Sequence, residues 1–450
     1  MLISKSIIKK YNIAVPRYTS YPTVPHWQTD KPDTETYLES LRVSLKKDNK
    51  ISIYIHLPYC EKLCTYCGCN KRITKNHKVE DPYIQIVLKE WDMLVSQLSN
   101  KPVIETIHLG GGTPTFFSPS NLRVLIEGIL SKGIMTEKPA FSFEAHPNST
   151  SKEHLDTLYE LGFRRMSVGV QDVSEFILKA INRYQTLDQI IDSVAYARKL
   201  GFNSINFDLV YGLPFQTMAD IEATTDFVKE LKPDRIAYYG YAHVPWKSKG
   251  QRAFTDEDIP RGYDKYRLRE AADNKLQSMG YISLGLDHYA LPDEELTRAF
   301  MNGNLHRNFM GYTTSSTNNM IGLGVSSISE ISDHYMQNEK TVEAYAERIN
   351  AGFFSFIRGH KLSHTEIKMK DLIIKLMCQG TLEWDEDSML QTLVKKNLLE
   401  LIKMQEDNLF YLSNNKIELT EIGQYLVRNI CAILDPYYEN HNEKLFSKAI

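Results

Sequence analysis

The chain has 450 residues, 42% of them hydrophobic and 24% charged, with a formal net charge of −3, the balance of a globular protein rather than a disordered one. So small a charge excludes the broad basic face that nucleic acid or an anionic membrane surface demands. No run of about 18 apolar residues is available to cross a bilayer, and the first residues, MLISKSIIKKYNIAVPRY, hold too short an apolar stretch for a signal peptide, so a cytoplasmic location is expected.

In chain order, residues 1–50 read as a short helical start and an extended arm. Pro16 and Pro22 keep the arm extended, and Tyr18, Tyr21 and Trp27 suit it to lie over an apolar surface. From residue 51, short apolar runs alternate with amphipathic segments, which predicts repeated βα units around a parallel sheet. Six strands are expected at 51–57, 104–109, 141–145, 166–170, 205–210 and 236–240, with helical periodicity at 83–98, 121–131, 187–200 and 221–231. Right-handed crossovers curl such units toward a partial (β/α)6 barrel of TIM type, whose function gathers at the rim just beyond the strand ends.

After a helix at 264–279 and a short run at 281–286, a polar, Gly-rich region extends to about residue 331. Helices at 363–377 and 389–404, a hairpin of 409–412 and 416–419 about Asn414-Asn415, and a helix at 421–434 then outline a winged-helix-like, mainly helical module. Its hairpin is not notably basic, as phosphate contact would require, so the module is expected to cover the open barrel. The expected organisation is an arm and helix at 1–50, the partial barrel at 51–290, a covering and connecting region at 291–360 and the helical domain at 361–450.

The densest chemistry lies in YIHLPYCEKLCTYCGCNK, residues 54–71, where Cys60, Cys64, Cys67 and Cys69 crowd one loop. Three thiolates on one loop can bind three irons of a cubane cluster and leave the fourth open, whereas a structural zinc site is closed by four ligands, commonly as two Cys-x-x-Cys pairs. A zinc knuckle or a disulfide are the competing readings of these thiols, and no second pair is present. Cys378 and Cys431 lie in apolar helical segments and read as small core residues. Further rim candidates are Gly110-Gly111-Gly112-Thr113, Glu144 with His146, Gln171, Asp208, and Ala242 with His243. Glu144 and Asp208 are carboxylates in apolar strands, costly there without a partner.

The spacing of Cys60, Cys64 and Cys67 resembles the Cys-x-x-x-Cys-x-x-Cys signature of the radical S-adenosylmethionine (SAM) superfamily. PRYTSYPT at 16–23, CGCNK at 67–71, GVQD at 169–172, INR at 181–183, DLVYGLPFQT at 208–217, GLDHYA at 285–290, HRNFMGYTT at 306–314 and GLGVSSIS at 322–329 carry the likeness further. Together they resemble the oxygen-independent coproporphyrinogen III oxidase family over nearly the whole chain.

The resemblance implies oxidative decarboxylation of two propionates of coproporphyrinogen III to vinyls, in heme biosynthesis, by a 5′-deoxyadenosyl radical from SAM. It also implies a [4Fe–4S] cluster on Cys60, Cys64 and Cys67 and two SAM molecules. One chelates the open iron, held by Tyr54, Gly111, Glu144 and Ile328, and the second is held by Tyr66, Gly112, Thr113, Gln171, Arg183, Asp208 and Ala242. Cys69, Arg183 and Tyr54 are the candidate catalytic residues, with Cys69 placed to ligate iron, bond the cofactor or receive an electron. Arg17, Arg183 and Arg307 are candidates for the substrate carboxylates, since Arg offers the planar fork that carboxylates fit. The family implies an electron donor and acceptor that the sequence does not name, and a monomer is expected. His146 stands where an Asp is common in the family. The rival readings are a heme chaperone and a heme-acting methyltransferase of the same superfamily; Cys69 together with the 16–23 arm favours the decarboxylase.

Overall fold

Inward and outward positions alternate along the first strand, β1 (Lys50–Leu57): Ile51, Ile53, Ile55 and Leu57 are buried among Tyr83, Ile84, Val87 and Trp91 of the following helix, α1 (Glu80–Val95). Each such side chain contributes about 1.5–3 kcal/mol on burial. The same period recurs in β2 (Val103–Gly111), β3 (Phe141–Ala145), β4 (Phe163–Gln171), β5 (Ser204–Tyr211) and β6 (Arg235–Gly240). These strands pair in parallel in the order β6-β5-β4-β3-β2-β1. The structure is a computed structural model that describes residues 3–27, 32–246, 248–315, 317–385, 388–438 and 446–450.

Helices α2 (Pro119–Ser131), α3 (Lys152–Glu160), α4 (Leu187–Leu200), α5 (Met218–Leu231) and α6 (Tyr263–Ser278) return the chain between or after these strands. Local chemistry sets their ends: α4 starts in a capping box of Thr186 and Gln189 and stops at Gly201, whose φ of 102° suits a left-handed cap.

The sheet does not close on itself. Beyond β6 run β8 (His288–Ala290) and β7 (Ile282–Gly285), both antiparallel additions. Beyond β1 comes β9 (Met320–Leu323), parallel, with Tyr54 beside Gly322, and then β10 (Ile328–Ile331), β11 (His334–Asn338) and β12 (Phe356–Lys361), all antiparallel. The result is the partial α/β barrel expected. The stretch expected to cover and connect it instead supplies strands to the same sheet. These strands are mostly three to six residues long, too short for their periodicity to show. Gly322 belongs there because a Cβ would sit 2.5 Å from the Ile328 carbonyl oxygen.

The C-terminal module holds the expected helices and hairpin, with a third strand, Thr381–Glu383, added to the hairpin pair Phe410–Ser413 and Lys416–Leu419. Two expected helices are broken, into Met389–Lys396 and Leu398–Glu406, and into Glu421–Tyr425 and Val427–Leu434. Asn397 makes the first break and bonds back to the Leu393 carbonyl at 3.0 Å. The arm is part of this module's core: Ile8, Tyr11, Tyr18 and Tyr21 are buried with Leu401, Leu409, Ile417 and Ile430. Trp27 stacks on Tyr335 at 4.8 Å. Cys378 and Cys431 are buried as expected. Among the described residues no helix is long and apolar enough to cross a membrane.

Candidate active site

The cysteine loop leaves the C-terminal end of β1 and is tied down by its own main chain. Tyr59–Cys60 pairs with Arg72–Ile73, Cys67 N–H donates to the Cys64 carbonyl at 3.2 Å, and Thr65 N–H donates to the Ile181 carbonyl at 3.0 Å. Lys71 Nζ crosses the turn to the carbonyls of Cys67 and Cys69 at 3.0 and 3.2 Å. All four thiols remain at least partly exposed.

Cys60 Sγ lies 3.2 Å from Thr113 Oγ1, and its thiol is pushed up to about 11 by burial. The Cys67 thiol is drawn down to about 6, first by its hydrogen bond with Cys69 and then by Lys71, while the same contact holds Cys69 well above its ordinary value. Among the described residues no three His, Cys, Asp or Glu side chains converge on a point where one metal ion would sit. Cys60, Cys64 and Cys67 offer three soft donors on one short turn, enough for three irons of a cubane taken one each, with Cys69 as a further thiol against Cys67.

Arg183 binds this loop to the barrel. Its guanidinium is buried, donating to the Gly169 carbonyl, to Gln185 Oε1 at 2.8 Å and to Tyr66 Oη at 3.3 Å, with Cys64 Sγ at 3.7 Å. A Cβ on Gly169 would stand 2.6 Å from Arg183 Nη2 and 2.8 Å from Gln171 Nε2, so Gly169 is what lets these side chains meet. Asp172 accepts from Gln216 Nε2 at 2.6 Å, and Gln216 Oε1 accepts from Gly212 N–H at 2.6 Å. The GVQD and DLVYGLPFQT runs are therefore two halves of one clasp.

At the end of β2, Gly111 has φ of 114°, and a Cβ there would press on the His56 ring at 2.8 Å; one on Gly112 would meet the Pro58 carbonyl at 2.6 Å. Both glycines let β2 approach the cysteine loop. Gly111 N–H donates to Glu144 Oε2 at 3.2 Å, His108 Nε2 lies 3.6 Å from Glu144 Oε1, and the Glu144 side chain stays 41% exposed. Tyr54 stacks on His108 at 5.9 Å and bonds His56 Nδ1 at 3.0 Å. Asp208 accepts from Ser167 and Asn206 at 2.8 and 2.9 Å, and burial raises its carboxyl to about 6. His108, Glu144, Ser167, Asp208, Tyr239 and His288 line a barrel cavity of ≈ 210 Å³.

The model of the Radical SAM superfamily matches residues 54–228. The chain is 33% identical to the oxygen-independent coproporphyrinogen III oxidase of Synechocystis sp., over 99% of this chain and 98% of the relative. It is 35% identical to the protein of that name from Pseudomonas aeruginosa, over 99% and 98%. The solved coproporphyrinogen III oxidase of Escherichia coli, described as a radical SAM enzyme, superposes with a TM-score of 0.90 at 32% identity, covering 97% of this chain and 99% of that one. The chain belongs to the oxygen-independent coproporphyrinogen III oxidase family. It is thus a radical SAM enzyme, with a [4Fe–4S] cluster and SAM as the cofactors that superfamily implies.

Within this family member, the structure gathers the expected site residues in two adjoining groups. Cys60, Cys64, Cys67, Cys69, Tyr66, Thr113 and Arg183 surround the loop, and Tyr54, Gly111, Glu144 and Asp208 face the barrel interior, with Gln171 beside Arg183. Two expected residues do not turn their side chains into these groups, although the Ile328 main chain packs on Gly322, the register partner of Tyr54. Ala242 is exposed on the wall of a different cavity, and the Ile328 side chain is buried beside Trp27, Tyr335 and Leu362.

His146 is partly buried next to Cys60 and Cys64, accepts from Asn148 N–H at 3.2 Å and is held neutral by burial and by Arg183. Arg17 is ion-paired to Asp287, while Arg307 is buried with Nε and Nη1 unpartnered among the described residues. Sequence reasoning missed His56, His108, Ser167, Asn206 and Tyr239. The signal was present, since they hold inward positions on strands whose alternate residues are apolar.

Proposed function

We propose that this chain carries out the oxygen-independent oxidative decarboxylation of two propionates of coproporphyrinogen III to the vinyls of protoporphyrinogen IX. The observation that carries this reading is a three-thiol loop at the C-terminal end of the first barrel strand, in a chain that matches its curated relatives end to end. Cys60, Cys64 and Cys67 would hold the cluster. Tyr54, Gly111, Glu144 and Ile328 would hold the SAM at the open iron, and Tyr66, Gly112, Thr113, Gln171, Arg183, Asp208 and Ala242 a second. Held by these residues, the cluster and SAM would supply radical chemistry, a 5′-deoxyadenosyl radical able to take a hydrogen atom from a propionate β-carbon.

The chain's own residues bind and orient. Glu144, accessible and already bonded to Gly111 N–H, suits an ammonium group, and Asp208, ionised above about 6, suits ribose hydroxyls. Arg183 fixes Tyr66 and the loop against β4, so that a reactive group is held against one C–H bond. Cys69 and Tyr54 complete the proposed machinery. A monomeric, cytoplasmic protein served by an as yet unidentified electron donor and acceptor is part of the same proposal.

The test is anaerobic reconstitution with iron, sulfide, SAM and a reductant, followed by product mass on coproporphyrinogen III. Loss of two carbon dioxide units per porphyrinogen with vinyl formation is expected. Tight heme binding without decarboxylation would favour a chaperone, and a methylated porphyrin without carbon dioxide release would favour a methyltransferase.

A further inference from the structure

A cavity of ≈ 370 Å³ lies where the arm, the ends of β5 and β6, α6 and the C-terminal module meet. Its charge is lopsided. Arg269 and Arg428 are buried, and Arg17 and Lys265 half-buried, on its wall. Asp287 is shared by Arg17 and by Arg269 Nη1 at 3.8 Å, and Arg269 Nε also reaches Asp273 at 3.6 Å. Arg428 has no carboxylate partner among the described residues and gives its donors to the main-chain carbonyls of Val15, Pro16, Ser447 and Lys448. Lys265 Nζ donates once, to the Tyr241 carbonyl at 2.9 Å, and forms no ion pair among the described residues. Among the described residues these two cations have no ion-pair partner of their own and share the field of Asp287 with Arg17 and Arg269, an arrangement that favours an anionic ligand.

The backbone is shaped around Lys265. Its stem passes Gly212, where a Cβ would stand 2.9 Å from Lys265 Cε, and its ammonium passes Gly240, where a Cβ would stand 3.2 Å from Nζ. A Cβ at Gly212 would press on this stem, and one at Gly240 would press first on Tyr211 Oη at 2.9 Å and then on the ammonium. The ammonium therefore sits at the C-terminal ends of β5 and β6, where barrel enzymes bind their ligands. Burial, then Arg428, Arg17 and Arg269, press Lys265 down to about 8 against the pull of Asp287; an arriving carboxylate would relieve that pressure.

The cavity also adjoins the radical site. The Arg17 guanidinium stands 5.9 Å from the centre of the Tyr239 ring, which lines the barrel cavity containing Glu144 and Asp208. Tyr241 and Ile259 on its wall pack in one apolar cluster with Tyr66 of the cysteine loop. The two cavities thus approach each other across the Arg17 guanidinium and the Tyr239 ring. A whole tetrapyrrole exceeds this volume, but a carboxylate-bearing edge fits.

We propose that this cavity grips the two propionates of coproporphyrinogen III that the reaction leaves intact, with Lys265 as the direct ion-pair donor and Arg428 and Arg17 setting the positive field. The proposal rests on the functional reading above. The test compares reconstituted wild type with Lys265→Met and Lys265→Arg, on coproporphyrinogen III and on its analogue with the two retained propionates as methyl esters. Melting temperature, iron content and substrate-free 5′-deoxyadenosine formation serve as controls.

Lys265→Met is expected to raise KM for coproporphyrinogen III about tenfold or more, the effect of losing a charge-assisted bond, with KM for SAM unchanged. Lys265→Arg should recover most of the loss. The ester should cost wild type about what the Met variant loses, and cost the Met variant little further. An unchanged porphyrinogen KM in Lys265→Met overturns the assignment, and so does a rise in the KM for SAM instead, which would give the cavity to the carboxylate of a second SAM. Wild type that cleaves SAM but never decarboxylates the porphyrinogen sinks the functional reading itself, an outcome distinct from either.

Discussion

Arg183 shows how much of the site hangs on single side chains that the chain's spacing does not announce. Its fork reaches a strand carbonyl, a tyrosine hydroxyl and the neighbourhood of a thiol from one buried position. Cys60, Cys64 and Cys67, the cysteines proposed to hold the cluster, were readable because they are neighbours in sequence. Gly169, Gln171 and Arg183 meet only after a strand and a short helix have folded, and no local pattern encodes that contact. His56 and His108 likewise gain a role only when β1 and β2 lie side by side. Replacing Cys60, Cys64 or Cys67 by Ala should lower bound iron after reconstitution and abolish SAM cleavage, read by iron assay and 5′-deoxyadenosine yield. Asp208 is protonated as pH falls through about 6, which removes the acceptor charge. KM for SAM should therefore rise below that pH. Asp208→Asn should raise it about tenfold or more, the loss of a charge-assisted bond, and should flatten the pH profile between 5 and 7.

The elements most legible in the sequence were those with a buried outer face. The six barrel strands are five to nine residues long and are separated by amphipathic helices, so length and order could be read from the alternation of short apolar runs with longer helical ones. Between Asp287 and Ile331 the strands are three or four residues long, and those that join the sheet edges pair with β1 and β6, far from them in sequence. The Gly-Gly-Gly run was readable as part of the barrel rim. The structure adds that the atoms approached are the protein's own, His56 and Pro58. Gly111→Ala should therefore cost about 1–3 kcal/mol for a strained left-handed conformation, before any cost of moving the His56 ring. Thermal unfolding checks the loss, and unchanged stability would contradict this reading of the turn. Removing the cap by Thr186→Ala should cost about 1 kcal/mol, without a change in KM for SAM.

At the scale of the whole molecule, the arm does more than bridge the barrel and the C-terminal module, since its tyrosines complete that module's core. Arg428 fastens it by donating to the carbonyls of Val15 and Pro16 and to those of Ser447 and Lys448. This packing of Ile3, Ile8, Tyr11, Tyr18 and Tyr21 into the C-terminal module was foreshadowed by Tyr18 and Tyr21, whose size asked for an apolar cover, but the partner was not readable from them. Arg428→Met should strip these charge-assisted bonds, worth about 1.5–3 kcal/mol each before compensation, and expose the arm to limited proteolysis at low protease concentration. Resistance equal to wild type would show the arm is held by its apolar contacts alone. The central claim is that a radical formed at the cysteine loop acts on a propionate β-carbon, and deuterium transfer tests it most directly. With coproporphyrinogen III deuterated at the propionate β-carbons, the account predicts deuterium in 5′-deoxyadenosine at one atom per vinyl formed; vinyl product with unlabelled 5′-deoxyadenosine would contradict it.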